Sequence, residues 1–273
     1  MTLTSHEWGE RGSPVVVCLH GITSHGLHFA KLAERLAGRF HVVALDLRGH
    51  GASEYDPPWH LEQHVEDAID TLQEHGLVDH PIRWIGHSFG GRIAFEVAAA
   101  APEAVERLVL LDPALLISGN AALNGAEGAR LDRSYASFEE AIDRRYEESQ
   151  LSRAPRKLVA DELREHLVEH RDGRWRYRYL QSAVVAAYGE MSREPPPFEL
   201  ANVPTLLVLG EDSYVRYDHL LDAHTAVLDD ELEVVRVPGG HTVLWDAFEE
   251  TASAIEQFLR RTTHLAGAPF TVS

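Results

Sequence analysis

The chain has 273 residues, of which 44% are hydrophobic and 25% are charged, a composition typical of a folded globular protein. Acidic residues outnumber basic ones by 43 to 25, which gives a formal net charge of -18 at pH 7. A surface of this charge repels nucleic acid and anionic lipid, so the composition argues against both as partners and favours a neutral or cationic small molecule.

The first residues, "MTLTSHEWGERGSP", lack the basic and then apolar pattern of a secretory signal. No later apolar run approaches the ~20 residues that a membrane-spanning helix needs. We therefore expect a cytoplasmic protein without membrane contact. Cys18 is the only cysteine, and its position inside "VVVCLHG" predicts a buried, inert thiol.

Apolar runs rich in β-branched residues alternate with segments of helical period in the first part of the chain. The runs are "PVVVCLHG", "FHVVALDLRG", "IRWIGHS" and "RLVLLDP", and helical segments at 27–39, 60–75 and 89–101 follow the first three. The alternation resumes with "PTLLVLGED", a helix around 218–227, "LEVVRVPG" and a final helix at about 243–261. It predicts an α/β fold with a mostly parallel, doubly wound sheet. The opening "LTSHEWGERGSPVVV" is expected to form a hairpin at the sheet edge.

The segment between these two parts, residues 114–203, is rich in Arg and Glu and largely helical in pattern. We interpret it as a helical cap inserted into a core made of residues 1–113 and 204–261. The proline run in "REPPPFELANVP" would stiffen the return of the chain into the core. Residues 262–273 have no strong periodicity and are expected to form a C-terminal tail.

One serine stands among glycines in "IRWIGHSFGGRIAFEV". Gly86 and Gly90 flank Ser88 at a distance of two residues, which is the pattern G-x-S-x-G between a predicted strand and a predicted helix. This setting holds a serine in a strained turn with its Oγ exposed above the helix amino terminus. Ser88 is therefore the candidate nucleophile.

A serine hydroxyl needs a base to accept its proton, and the base needs a partner that fixes its tautomer. His241 follows the last predicted strand in "VPGGHTVLWD", where it is placed to act as that base. The oxyanion would be bound by the backbone N–H groups of Phe89 and Ile22. His20 would then shape the loop after the first strand, and His87 would point away from the serine.

Four motifs now stand in one order: "LHGITSHG", "DLRGHGAS", "GHSFGG" and "PGGHTVLWD". Through these four motifs and their order, the chain resembles the α/β-hydrolase fold family of serine hydrolases with a helical cap, over residues ~15 to ~260. The resemblance implies a doubly wound sheet, a pocket between core and cap, and acyl transfer to water without a cofactor.

The triad acid departs from the family pattern. The acid usually stands three residues beyond the glycine that ends the penultimate strand, and here Ser213 occupies that place after Gly210. Asp212 lies one residue earlier, and Asp112 ends an earlier strand in "LVLLDPALL", where some family members have their acid. Asp212 and Asp112 are both candidates.

The sequence thus predicts a serine hydrolase that cleaves a small, largely neutral carboxylic ester or lactone through an acyl-enzyme. Carbon-carbon bond hydrolysis and cofactor-free perhydrolysis use the same residues, and a non-catalytic ligand-binding protein of this fold is an alternative of another class. No metal is expected, because the "HLVEH" pattern at 166–170 lacks a third ligand and fits a solvated helix. The sequence does not determine the oligomeric state, and a homo-oligomer is one of the alternatives.

Overall fold

The computed structural model describes residues 1–261, and the predicted tail at 262–273 lies outside the described residues. The strands are β1 (Ser5–Trp8), β2 (Val15–Leu19), β3 (His41–Leu45), β4 (Ile82–His87), β5 (Val105–Leu111), β6 (Ser134–Tyr135), β7 (Leu167–Glu169), β8 (Trp175–Tyr177), β9 (Thr205–Gly210) and β10 (Leu232–Val237). The α-helices are α1 (Ala30–Leu36), α2 (Leu61–Glu74), α3 (Phe89–Ala100), α4 (Gly119–Ala129), α5 (Phe138–Glu148), α6 (Arg156–His166), α7 (Gln181–Glu190), α8 (Asp218–Leu228), α9 (Val243–Asp246) and α10 (Phe248–Leu259). Short 3-10 turns cover Gly26–Phe29, Pro102–Ala104, Phe198–Ala201 and Asp229–Glu231.

Seven strands form the main sheet in the order β1-β3-β2-β4-β5-β9-β10. All neighbours are parallel except β1, which runs antiparallel to β3. The α/β fold and the mostly parallel sheet predicted from the sequence are therefore confirmed. The expected hairpin between β1 and β2 is wrong, because β3 lies between them and pairs with both.

Both faces of this sheet are buried, as the continuous apolar strands require. In β2, Val17 and Leu19 pack into one core cluster, while Val16 and Cys18 pack into a second cluster on the opposite face. Helices α2 and α3 cover the first face, and α1 and α10 cover the second. The Cys18 thiol is fully buried, and burial raises its pKa.

The segment between β5 and β9 carries α4 to α7 and builds its own apolar cluster. Besides the predicted helices it contains a small antiparallel sheet, β6-β8-β7, which the sequence analysis did not predict. Trp245, which lies after β10 in the main fold, belongs to the same cluster. This tryptophan anchors the inserted segment over the carboxyl ends of the main-sheet strands.

In the described part of the chain, no helix combines the length and the apolarity needed to cross a membrane.

Candidate active site

Ser88 occupies the sharp turn between β4 and α3. Its backbone angles are φ 54° and ψ -117°, a conformation that is strained for any residue with a side chain. The turn holds because the Ser88 N–H donates to the Leu111 carbonyl, and the Ser88 carbonyl accepts from the Arg92 and Ala114 N–H groups. The serine is 5% exposed and lines a cavity.

Two glycines make this turn sterically possible. A β-carbon at Gly86 would overlap the Gly90 carbonyl, and one at Gly90 would overlap the Leu19 carbonyl at the end of β2. The G-x-S-x-G spacing therefore has a packing cause on both sides of Ser88. It lets α3 begin directly against the sheet, so that its free N–H groups lie beside the serine.

His241 and Asp112 meet at the carboxyl edge of the sheet. His241 Nδ1 lies 2.6 Å from Asp112 Oδ2, and the two side chains come from loops 129 residues apart. Since a carboxylate only accepts, Nδ1 carries the proton and Nε2 is the basic nitrogen. No hydrogen bond joins Ser88 Oγ to His241 within residues 1–261, although both residues line the same cavity. Such contacts often tighten only when substrate binds.

Asp112 is held by donors from the neighbouring strand end. It is 1% exposed, and its Oδ1 accepts from the Gly210 N–H at 2.9 Å. Its Oδ2 accepts from Ser213 Oγ at 2.5 Å as well as from His241. Ser213, which occupies the usual place of the family's acid, is thus a donor to the carboxylate that contacts the histidine.

Asp212 does not join this group. Its side chain is exposed, and its backbone N–H donates to the Gly239 carbonyl at 2.9 Å. In the described part of the chain it has no hydrogen bond or ion pair with His241. The expectation that Asp212 serves as an alternative partner of His241 is therefore not met, because the turn after Gly210 directs Ser213 inward and Asp212 outward.

The two predicted oxyanion donors, Phe89 and Ile22, come from the start of α3 and from the loop after β2. Phe89 is the first residue of α3, so its N–H has no acceptor within the helix. Ile22 lies in the loop after β2 and lines the cavity with Ser88. A β-carbon at Gly21 would lie 3.0 Å from Ser88 Cβ, so this loop passes close to the serine.

Two neutral histidines support the loops around the site. The His20 ring donates from Nδ1 to the Gly21 carbonyl at 2.7 Å and accepts the Leu47 N–H at Nε2. His87 Nε2 donates to the His241 carbonyl at 3.0 Å. Burial lowers the pKa of both, and the proximity of His241 lowers that of His87 further. His87 thus supports the backbone of His241, and it lines the same cavity as Ser88.

The cavity beside Ser88 has a volume of about 910 Å³ and runs from the sheet edge into the inserted segment. On the core side it is lined by Ile22, Ser88 and His241, and on the inserted side by Tyr188, Arg145 and other residues of α4, α5 and α7. Its size suits a small-molecule substrate. Tyr214, 5.0 Å from the His241 ring between centroids, forms part of its wall.

Arg145 is a charged residue of this wall that the sequence analysis did not single out. It is 7% exposed and lies in α5, one turn after the buried Ala141 and Ile142. The spacing of these apolar residues was the available signal, since it places position 145 on the buried face of the helix.

The inserted segment is also joined to the core through polar contacts near the cavity. Glu162 of α6 accepts from His28 Nδ1 at 3.1 Å, and His166 Nε2 donates to the Thr23 carbonyl at 3.1 Å. Asp246 accepts from the Arg153 and Ala154 N–H groups through Oδ1 and from the Gly240 N–H through Oδ2. Asp246 therefore links the inserted segment to the loop that carries His241.

No group of three or more metal-ligating side chains is assembled among residues 1–261. The histidines of "HLVEH" do not share a helix, because α6 ends at His166 and β7 follows.

This chain is similar in sequence and in fold to known proteins. The family model described as alpha/beta hydrolase fold matches residues 14–248. The chain is 33% identical over 254 residues to lipase LipV of Mycobacterium tuberculosis, covering 92% of this chain and 95% of that protein. It is also 33% identical over 256 residues to 2-(acetamidomethylene)succinate hydrolase of Mesorhizobium japonicum, covering 92% and 90%. A crystal structure of E-2-(acetamidomethylene)succinate hydrolase superposes with a TM-score of 0.83 at 24% identity, covering 95% of each chain.

Proposed function

We propose that this chain, which belongs to the alpha/beta hydrolase fold family, cleaves a small carboxylic ester or lactone through an acyl-enzyme on Ser88. It is a hydrolase of that family, and the ester-cleaving activity is the finer proposal. The observation that carries it is the 2.6 Å contact between His241 Nδ1 and Asp112 Oδ2 at the same sheet edge as a serine in a nucleophile turn.

The first half of the reaction forms the acyl-enzyme. His241 Nε2 accepts the proton of Ser88 Oγ as the oxygen attacks the carbonyl carbon of the substrate. The carbonyl oxygen becomes an oxyanion, which the N–H groups of Ile22 and Phe89 stabilise. Asp112 stabilises the imidazolium and holds its ring. The protonated His241 then gives its proton to the leaving alcohol as the carbon–oxygen bond breaks.

The second half releases the acid. His241 Nε2 accepts a proton from water, whose oxygen attacks the acyl carbon, and the same N–H groups stabilise the second oxyanion. Collapse of this intermediate breaks the bond to Ser88 Oγ, and His241 returns the proton to the serine. The step consumes one water and needs no cofactor.

Two further observations support hydrolysis of an ester. The relative LipV is named a lipase, and lipases cleave esters. The alternative of a non-catalytic binding protein depended on the missing acid at position 213. The contact between Asp112 and His241 removes that argument, because a buried carboxylate already partners the histidine.

Labelling and turnover test the proposal together. The protein is incubated with a fluorophosphonate probe and with 4-nitrophenyl esters of short acids. We expect covalent labelling and ester turnover in the wild type, and loss of both in Ser88→Ala. Ser192→Ala is the matched control, because Ser192 lines the same cavity while its Oγ donates to the Gly189 carbonyl. A folded wild-type protein that neither labels nor hydrolyses any ester contradicts the proposal.

A further inference from the structure

Two arginines of this protein are almost completely buried beside the inserted segment, and they differ in their partners. Arg92 is 1% exposed and donates to the carbonyls of Leu115, Arg193 and Glu194 and to the Glu96 carboxylate. A buried guanidinium normally needs such acceptors. Arg92 is therefore a structural residue whose hydrogen-bonding capacity the fold itself uses.

Arg145 is 7% exposed and has no such acceptors. Within residues 1–261 its side chain has no hydrogen bond and no ion pair, and its Nε is buried without a partner. Its guanidinium carbon lies 5.2 Å from the Trp245 ring centroid and 5.6 Å from that of Tyr177. Such rings stabilise a cation but accept no conventional N–H hydrogen bond, so the donors of Arg145 are left for another acceptor.

The carboxylates nearby do not contact Arg145. Glu162 raises the pKa of Arg145 through its charge without forming an ion pair with it; its Oε2 accepts from His28, and its Oε1 has no hydrogen-bond partner among residues 1–261. Glu148 lines the cavity, but it accepts from the Tyr135 hydroxyl at 3.1 Å and lies 3.9 Å from Arg133. The positive charge of Arg133 is thus offset, whereas that of Arg145 has no carboxylate in contact. Arg216, which also lines the cavity, is exposed, so Arg145 is the buried arginine of the cavity wall without a carboxylate in contact.

This cation lies on a continuous row of side chains that leads to Ser88. The ring centroids of Trp245 and His28 are 5.4 Å apart, as are those of His28 and His87, and His87 directly precedes the serine. Arg145 contacts the Trp245 end of the row and lines the cavity that Ser88 lines. Because Arg145 and Ser88 line the same cavity, a small substrate can place its ester at the serine and a second group at the arginine.

We propose that Arg145 binds a carboxylate of the substrate, so that the ester or lactone cleaved at Ser88 carries a free carboxylate elsewhere in the molecule. This inference rests on the proposed ester hydrolysis and names its substrate class. A guanidinium presents paired N–H groups that match the two oxygens of a carboxylate. The single buried charge of Arg145 balances one carboxylate, whereas a phosphate dianion would need a second buried charge.

The inference changes the expectation of a largely neutral substrate. That expectation came from the net charge of -18, which describes the whole chain and mostly its surface. The binding of a ligand depends on the charge of the wall that it contacts. Here the wall has the opposite sign to the protein.

Turnover of paired esters tests this inference. Monomethyl glutarate and dimethyl glutarate share the same acyl chain but differ in the free carboxylate, and a pH-stat measures kcat/KM for each. In Arg145→Met we expect the ratio of the anionic to the neutral ester to fall on the order of 10- to 100-fold, the value of a charge-assisted hydrogen bond. Arg145→Lys keeps the charge without the paired donors and should give an intermediate ratio.

Arg156→Met is the matched control, because Arg156 is an exposed arginine of the inserted segment that pairs with Asp143 and Glu139 outside the cavity. Its ratio should equal that of the wild type. A ratio within twofold of the wild-type value in both Arg145 variants overturns the inference. If Arg145→Met does not fold, the Arg145→Lys ratio decides in the same way.

A binding measurement separates this inference from the proposed function. Glutarate is titrated by calorimetry into Ser88→Ala protein and into the same protein with Arg145→Met, and inorganic phosphate is titrated in parallel. We expect glutarate to bind the first protein at least tenfold more tightly than the second, and phosphate to bind more weakly than glutarate. Equal glutarate affinities, no glutarate binding, or tighter phosphate binding each overturn the inference. Failure of the proposed function itself appears instead as absent turnover of every ester by the wild type.

Discussion

The active-site region contains two buried charges that differ in their hydrogen-bond partners. Asp112, at the sheet edge, is 1% exposed and accepts from Gly210, Ser213 and His241. Arg145, on the inserted side, is 7% exposed and has no hydrogen bond within residues 1–261. The difference indicates two roles. The carboxylate proposed to orient a base is satisfied by the protein, whereas the guanidinium proposed to bind substrate is left without a hydrogen bond.

Acid should have the largest effect, and it should act on the stability of the protein. Burial is the main cause that lowers the pKa of a group of histidines: His20, His25, His50, His64, His87, His166 and His224. Each stays neutral in the folded protein below pH 6.5, where the unfolded chain takes up the proton. The unfolded state thus binds more protons, and the free energy of unfolding falls as pH falls, by ~1.4 kcal/mol per pH unit for each histidine.

This loss continues down to the folded pKa, which is about 4 for His25. Urea denaturation between pH 8 and pH 4.5 should give midpoints that fall steeply below pH 6.5. Arg145→Met should follow the same curve, because a guanidinium stays charged throughout this range. A midpoint that is constant from pH 7 to pH 5 would contradict the neutral, buried state of these histidines.

Replacing Arg92 or Arg145 by methionine tests whether each buried arginine stabilises the fold. Arg92→Met should lower the free energy of unfolding by about 3–5 kcal/mol, because it leaves buried carbonyls and Glu96 without their donor. Arg145→Met should leave stability within about 1 kcal/mol of the wild type or raise it, because it removes a buried charge that lacks a partner. Urea denaturation at pH 7.5 measures both. Comparable large losses in the two variants would mean that Arg145 is a structural residue.

Asp246 connects the two regions, so its substitution tests whether they depend on each other. Asp246→Asn keeps the shape of the side chain but turns an NH₂ group toward N–H donors of Arg153, Ala154 or Gly240. We expect the free energy of unfolding to fall by about 2 kcal/mol and KM to rise, because the inserted segment is no longer held to the loop that carries His241. Unchanged stability together with unchanged KM would show that the two regions are independent.

Ser213→Ala should have the smallest effect. It removes one of the three donors to Asp112 and leaves those of Gly210 and His241. We expect kcat to fall about tenfold, as for loss of one hydrogen bond to a charged group, with KM unchanged. Ser213→Thr, which keeps a hydroxyl, should recover most of the loss. A change in KM alone, or no recovery by threonine, would argue against a positioning role.

The sequence predicted the parts of the site that depend on short motifs. Ser88 could be proposed as the nucleophile because its turn is determined by Gly86 and Gly90, which stand two residues away. The acid could not be chosen, since the contact of Asp112 with His241 spans 129 residues and depends on which way the turn at Ser213 faces. The amino-acid composition could not reveal which carboxylate contacts His241.

Arg145 and the β6-β8-β7 sheet were missed for a related reason. The segment "SFEEAIDRRYEES" is dominated by charged residues, and this hides the fact that Ala141, Ile142 and Arg145 share one buried face. The strands of the small sheet are two or three residues long, which is too short for an alternating pattern to appear. Similarly, the pairing of β1 with β3 instead of β2 is a tertiary choice that no local signal records.

Two carboxylates that are close to the same loop, Asp112 and Asp212, give the most direct test of which acid partners His241. Asp112→Asn and Asp212→Asn are each assayed for kcat on a short-chain 4-nitrophenyl ester, with folding checked by circular dichroism. Asp112→Asn should lower kcat on the order of 10⁴-fold, because the amide no longer holds His241 in the tautomer that accepts the serine proton. Asp212→Asn should stay within about twofold of the wild type, because its side chain is exposed and does not contact His241. The opposite order, or a folded Asp112→Asn protein with near wild-type kcat, would contradict the assignment of Asp112 as the partner of His241.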